Sequence, residues 1–282
     1  MPRADRTSDE PATAPEAGRR TERRPGTRRR APAATVVLLV RHGATTTTGL
    51  ELPGRAPGLH LSDAGREQAE RVAARIAGMA RGHGGAGVPA GDGAASEAAA
   101  GDGQRADGAR RVRSRVRGGG AKGPRITAVY ASPLERTRET AAPIALALGH
   151  ELRLDDGLLE LDVGEWTGLE LKAARKRKEW GTIQRYPSGF TFPGGESFVA
   201  MQSRIISTLG RLRAAHPGET IVAVSHADPI RAAVAHAMGA HLDLFQRVVV
   251  SPCSLTAIAY GDEGPTVLTV NDTGATGALV PS

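Results

Sequence analysis

The chain is poor in aromatic residues, at 3% of its 282 positions, and it has a single cysteine. One thiol, Cys253, excludes an internal disulfide and a thiolate metal cluster, and a reducing compartment is the simplest setting. Long apolar runs are missing as well. The longest obvious one, Ala33 to Val40, is strand-sized and far short of the roughly 20 residues needed to span a bilayer. The first thirty residues, with RRTERRPGTRRR and scattered acids, lack the apolar stretch and cleavage pattern of a signal peptide. A soluble, cytoplasmic protein with no membrane partner is expected.

Acids are outnumbered, 30 against 37 Lys and Arg, for a formal charge of +7. The excess is local. Residues 1–35 hold nine Arg against five acids and residues 80–125 hold nine bases against four, which leaves 19 bases against 21 acids elsewhere. Residues 1–34 are rich in Arg, Pro and Thr with almost no large apolar side chains, so no core burial offsets the entropy of ordering them. They are expected to form a disordered tail. The segment at about 80–125 has 13 Gly and 11 Ala among 46 residues, which predicts a flexible surface insertion with a basic end. Residues 35–282 are read as a single domain around that insertion.

Outside these segments the chain alternates between strand and helix periods. Thr35–Val40, Ile126–Tyr130, Ile221–Ser225, Leu255–Tyr260 and Val267–Val270 read as strands. Ala69, Val72, Ala73 and Ile76 have helix spacing behind a candidate N-cap, Ser62, and Phe198, Met201, Ile205, Leu209 and Leu212 form a longer stripe. Ser132-Pro133-Leu134-Glu135 has the form of an N-cap, a first-turn proline and an N3 glutamate, so a helix is expected to begin there and to kink or end at Pro143. Asp228-Pro229 marks another helix start. Apolar strands separated by amphipathic helices predict an α/β fold: a three-layer α/β/α arrangement with a mainly parallel central sheet.

In such folds ligands bind beyond the C-terminal ends of the strands. Three polar clusters fall there: Arg41-His42-Gly43, Ser132 to Arg138, and Ser225-His226. Histidines and arginines brought together suit a dianionic phosphate, because a guanidinium matches phosphoryl oxygens and a neutral imidazole nitrogen is a nucleophile. Arginines can also compensate the charge of phosphoryl transfer. No HExxH, DxD-type or Cys/His spacing occurs in these clusters, so neither a metal nor a cofactor is expected.

Val40-Arg41-His42-Gly43-Ala44-Thr45 resembles the RHGxT signature of the histidine phosphatase superfamily, in its phosphoglycerate-mutase-like branch. The segments Ser132 to Ala141, Leu158 to Gly168 and Ser225 to Arg231 are similar, in order, to that family's second arginine motif, acid-bearing segment and second histidine motif. With Phe192 to Ser197 and His241 to Arg247, the pattern is similar to actinobacterial phosphomutase and phosphatase members of the superfamily.

The resemblance implies a phosphoglycerate-mutase-like fold and phosphohistidine chemistry. His42 would be the nucleophile, Arg41, Arg136 and His226 would bind the phosphoryl group, and Glu160 would protonate the leaving oxygen. Asp162 and Glu165 are its near rivals in sequence. Thr48 stands where many relatives carry Asn near the phosphate, and its hydroxyl would substitute as a phosphate-binding contact. Lys172, Arg175, Lys176, Arg177 and Lys178 form either a cationic lid over the leaving-group side, giving Lys176 a substrate contact, or a solvated helix face. Arg138, two residues beyond Arg136, points about 200° away from it on a helix. Trp166 and Trp180 read as packing residues, Cys253 as a small buried hydrophobe, and His60, His83, His150, His216, His236 and His241 have no motif support.

The preferred function is metal-independent hydrolysis of a small phosphomonoester, whose partner is a small phosphorylated metabolite. A phosphoglycerate-type phosphomutase is the enzymatic alternative. A non-enzymatic alternative is nucleic-acid binding through Arg23 to Arg30 and Arg110 to Arg117. Those stretches lack interleaved aromatic platforms and a base-reading motif, which speaks against specific binding. An oligomer is compatible with the apolar helix faces, which periodicity does not assign to a core or a subunit interface. Deleting residues 1–33 and 80–125 is expected to leave phosphate-ester hydrolysis in place while weak, salt-sensitive nucleic-acid binding disappears, as measured by phosphate release and by retention of a labelled duplex at two salt concentrations.

Overall fold

The computed structural model describes residues 33–82 and 123–274. The expected tail up to residue 32, the body of the 80–125 insertion, His83 and both arginine-rich stretches lie outside the described residues. In chain order the elements are β1 (Thr35–Arg41), β2 (Glu51–Leu52), α1 (Asp63–Ala80), β3 (Ile126–Ala131), α2 (Glu135–Leu148), β4 (Leu152–Leu154), β5 (Leu169–Glu170), α3 (Leu171–Ala174), α4 (Trp180–Arg185), α5 (Phe198–Ala215), β6 (Thr220–Ser225), α6 (Ala227–Ala237), β7 (Leu255–Gly261) and β8 (Gly264–Asp272). No helix among the described residues is long and apolar enough to cross a membrane.

A six-stranded sheet runs in the order β4-β3-β6-β1-β7-β8. The strands β4, β3, β6 and β1 are mutually parallel, while β7 and β8 add an antiparallel edge. The period of two in each strand divides the apolar residues between two cores. Val37, Leu39, Ile221 and Ala223 pack with the α5 stripe and with Ile230 and Ala233 of α6. Leu38, Val40, Val222 and Val224 pack with Val72 and Ile76 of α1 and with Ala141 and Ile144 of α2. Burial on both faces explains why the central strands read as continuous apolar runs. The expected three-layer α/β/α arrangement is what forms.

Two local expectations change. Helix α2 begins at Glu135, with Leu134 as an extended N-cap that makes no side-chain capping bond, rather than at Ser132-Pro133. The Ser132 hydroxyl, available for capping on sequence grounds, instead meets the ring of His226. The helix also runs through Pro143 to Leu148 and ends on Gly149 at φ 69°. At the insertion, α1 extends to Ala80 and Gly123 returns against it so closely that a Cβ there would lie 1.9 Å from Met79 O. The two described ends of the insertion are therefore adjacent.

Register sets the strand ends level: Arg41 pairs with Ser225, and Ala131 with Val224. The polar clusters following β1, β3 and β6 consequently share one edge of the sheet. Gly43 lets α1 pack under that edge, because a Cβ on it would stand 2.5 Å from the backbone oxygen of Gly65. Its N–H donates to Thr140 Oγ1 at 3.0 Å, joining the first loop to α2. Gly43→Ala must displace backbone rather than a flexible side chain. It is expected to cost about 1–3 kcal/mol, the usual range for overpacking, read as a lower urea midpoint with an unchanged m-value.

Candidate active site

Two histidines face each other at the level strand ends, with ring centroids 5.2 Å apart and an interplanar angle of 62°. His42 Nδ1 lies 2.7 Å from Gly43 O. A carbonyl only accepts, so Nδ1 carries the proton and Nε2 keeps its lone pair. Burial, reinforced by Arg41 and Arg136, lowers the His42 pKa well below its ordinary value. The ring is neutral. His226 is fully buried, with Nε2 2.9 Å from Ser132 Oγ. Burial, then the fields of His42, Arg136 and Arg41, keep it neutral too. The Leu134 N–H also points at the Ser132 oxygen, at 3.5 Å. His226 Nδ1 is buried with no protein partner.

Arg136 is fully buried on the first turn of α2, and Arg41 is partly buried at the end of β1. Each spends one nitrogen on a backbone carbonyl: Arg136 Nη2 donates to Gly54 O and Arg41 Nη1 to Val250 O, both at 2.7 Å. Arg136 Nε and Nη1 and Arg41 Nε are buried without a partner. Buried N–H donors are normally paired, and unpaired ones cost free energy. These arginine donors lie beside the unpartnered His226 Nδ1 and suit the oxygens of a phosphoryl group. Desolvation lowers both arginine pKa values, although a guanidinium remains charged in proteins.

Glu160 is the acid that shares this environment. Desolvation, followed by the nearby Asp228, raises its pKa to about 7, against the opposing effects of the Leu161 N–H, Arg136 and Arg41. Leu161 N donates to Glu160 Oε1 at 2.9 Å. Its two sequence rivals are placed otherwise: Asp162 Oδ1 accepts from Gly164 N at 2.9 Å, and Glu165 is exposed.

The remaining candidates separate. The Thr48 hydroxyl accepts from Thr45 N at 2.8 Å and lies 2.9 Å from Thr45 Oγ1, so it braces its own loop instead of reaching the histidines. Lys172, Arg175, Lys176, Arg177 and Lys178 are exposed; Arg177 stacks over Trp166 at 4.8 Å, and no contact ties Lys176 to the histidines. Arg138 is exposed beside His60 and Glu139, as its helix angle predicts. Trp166 packs edge-on against Phe190 and Phe192, and Cys253 is buried with its pKa pushed up to about 12. His216, without motif support, bonds Tyr130 and Glu219 in a buried network. Ser132, Asp228, Arg55, Glu196 and Arg204 are the neighbours that sequence reasoning missed as site residues. Ser132, Asp228 and Glu196, inside recognised segments, carried a local signal, whereas Arg55 and Arg204 carried none.

The sequence profile of the histidine phosphatase superfamily (branch 1) matches residues 37–83 and 109–273, and the chain belongs to that family. It is 35% identical over 151 residues to the bifunctional protein Rv2228c of Mycobacterium tuberculosis, covering 53% of this chain and 42% of that protein. The chain thus spans less than half the length of this relative. It is 29% identical over 150 residues to phosphoserine phosphatase 1 of Hydrogenobacter thermophilus, covering 52% of this chain and 71% of that enzyme. The solved structure of mycobacterial glucosyl-3-phosphoglycerate phosphatase Rv2419c has the same fold, at a TM-score of 0.62 and 19% identity over 85% of this chain and 99% of that one.

Ser132→Ala removes the side-chain partner of His226 Nε2. Taking about 1 kcal/mol for a net hydrogen bond, phosphate-ester turnover is expected to fall roughly fivefold. Steady-state kinetics check this, and a wild-type rate would show that the Ser132 contact does not serve turnover.

Proposed function

We propose that the chain is a phosphatase that hydrolyses a small phosphomonoester through a phosphohistidine on His42, with charge compensation supplied by arginine rather than a metal ion. The observation that carries this reading is the pairing of a neutral His42, its Nε2 lone pair free, with the unpartnered buried donors of Arg41 and Arg136. The phosphatase relative supports hydrolysis as the outcome.

His42 Nε2 attacks phosphorus as the ester P–O bond breaks, and Glu160 passes its proton to the departing oxygen, releasing the alcohol. The imidazole retains its Nδ1 proton against Gly43 O. The Glu160 carboxylate then accepts a proton from water, whose oxygen attacks phosphorus as the P–N bond breaks. Inorganic phosphate leaves, and Glu160 and His42 return to their starting states. Arg41, Arg136 and His226 Nδ1 donate to the equatorial oxygens in both steps, where transition-state charge is greatest. A pKa of about 7 suits Glu160 to both roles.

Phosphate release from an aryl phosphate in the presence of a chelator, abolished by His42→Ala, is the expected result. Full activity in that variant overturns the proposal. Exchange between 2- and 3-phosphoglycerate without phosphate release would establish the mutase instead. The pH dependence has a definite sign: Glu160 must hold its proton, so kcat/KM for an alkyl phosphate should fall as pH rises through about 7, the pKa to which burial and Asp228 raise it. An activated aryl phosphate, whose leaving group needs no proton, should lack that limb, as should the Glu160→Gln variant with either ester.

A further inference from the structure

The carboxyl group of Glu160 has one local restraint, the Leu161 N–H. Its position therefore depends on the peptide that carries it, and two distant arginines hold that peptide. Glu160 O accepts from Arg55 Nε at 2.9 Å and from Arg204 Nη2 at 3.3 Å. Arg204 Nη1 also donates to Gly157 O at 3.0 Å and Leu159 O at 2.8 Å, so one guanidinium grips the run leading to the acid.

Glu196 joins the two arginines. Its Oε1 accepts from Arg204 Nε at 2.9 Å, and its Oε2 accepts from Arg204 Nη2 at 2.8 Å and Arg55 Nη2 at 2.9 Å. The Glu196 backbone N–H donates to Asp162 O at 2.8 Å, tying the far side of the acid segment to the main chain of the same residue. The three side chains are 30%, 14% and 20% exposed for Arg55, Glu196 and Arg204, which shields these pairs from much of the screening that weakens surface ion pairs.

The clamp also reaches the phosphate side. Gly54, immediately before Arg55, accepts Arg136 Nη2 on its carbonyl at 2.7 Å. At φ 48° and with Val163 Cγ2 2.7 Å from where a Cβ would stand, Gly54 fits only as glycine. Adjacent residues thus anchor the phosphoryl-binding arginine and the backbone of the acid.

Resting on the assignment of Glu160 as the proton donor, we propose that Arg55, Glu196 and Arg204 are positioning residues that set the reach of Glu160 toward the leaving oxygen. None of them is a catalytic residue. They act through the 157–160 backbone, and small displacements of a proton donor can cost up to about 10²-fold in rate.

The test compares full-length wild type, Glu160→Gln, Glu196→Gln and Arg55→Gln on an alkyl phosphate and on p-nitrophenyl phosphate. Wild type should hydrolyse both, and Glu160→Gln should lose far more on the alkyl ester. Failure of either result strikes the assignment of Glu160 itself. Given both, Glu196→Gln and Arg55→Gln are expected to lose at least about tenfold more kcat/KM on the alkyl ester than on the aryl ester. They should also displace the alkaline limb of the alkyl-ester pH profile. Equal losses on both esters with an unmoved limb, or no loss on either, overturn the clamp. Thermal unfolding is followed in parallel. If a Gln variant does not unfold cooperatively, Arg55→Lys and Arg204→Lys, which keep the charge without the fork, decide the matter by the same ratio.

Discussion

Two guanidiniums buried against two imidazoles set the electrostatic condition on which the rest of the site depends. In low dielectric, positive charge beside a histidine disfavours its protonation, so Arg41 and Arg136 help keep His42 neutral. The same charges oppose the shift that burial imposes on Glu160, yet burial and Asp228 prevail and leave that carboxyl near neutrality. The proposed nucleophile, acid and anion-binding donors are thus one cluster of mutually perturbing groups. Each is intelligible only beside the others.

The fold supplies what that cluster requires. Parallel pairing brings the ends of β1, β3 and β6 to one level, and the loops beyond them contribute His42, Ser132 and His226. Apolar burial on both faces of the sheet fixes register, since a slip of one residue would exchange the two cores. Precision at the site is then completed by backbone carbonyls, with Gly43, Gly54 and Val250 taking up the nitrogen atoms that would otherwise rotate freely. These acceptors leave His42 Nε2, Arg136 Nε and Nη1, and Arg41 Nε without a protein partner.

Much of the architecture was legible because it follows from periodicity. Continuous apolar strands, the Ser62 cap and the stripe from Phe198 to Leu212 each have a local cause and form as expected. Ser132 shows the limit of such reading. Its local pattern favours a helix cap, but a histidine 94 residues away takes its hydroxyl. Thr48 likewise sits near the first motif, where the loop turns its hydroxyl back onto Thr45.

The order of the strand-end motifs, the period of the elements between them and the residue types able to meet a phosphate are local properties, legible along the chain. Tertiary structure alone decided which nitrogen of His42 is free, why Glu160 and not Asp162 or Glu165 shares the arginines' field, and how Arg55, Glu196 and Arg204 grip its backbone. The division has a physical origin. Periodicity records which face of an element is buried, whereas tautomers, pKa shifts and carbonyl clamps depend on distances between groups separated by 105 residues, as for Arg55 and Glu160, and these exist only once the chain has closed on itself.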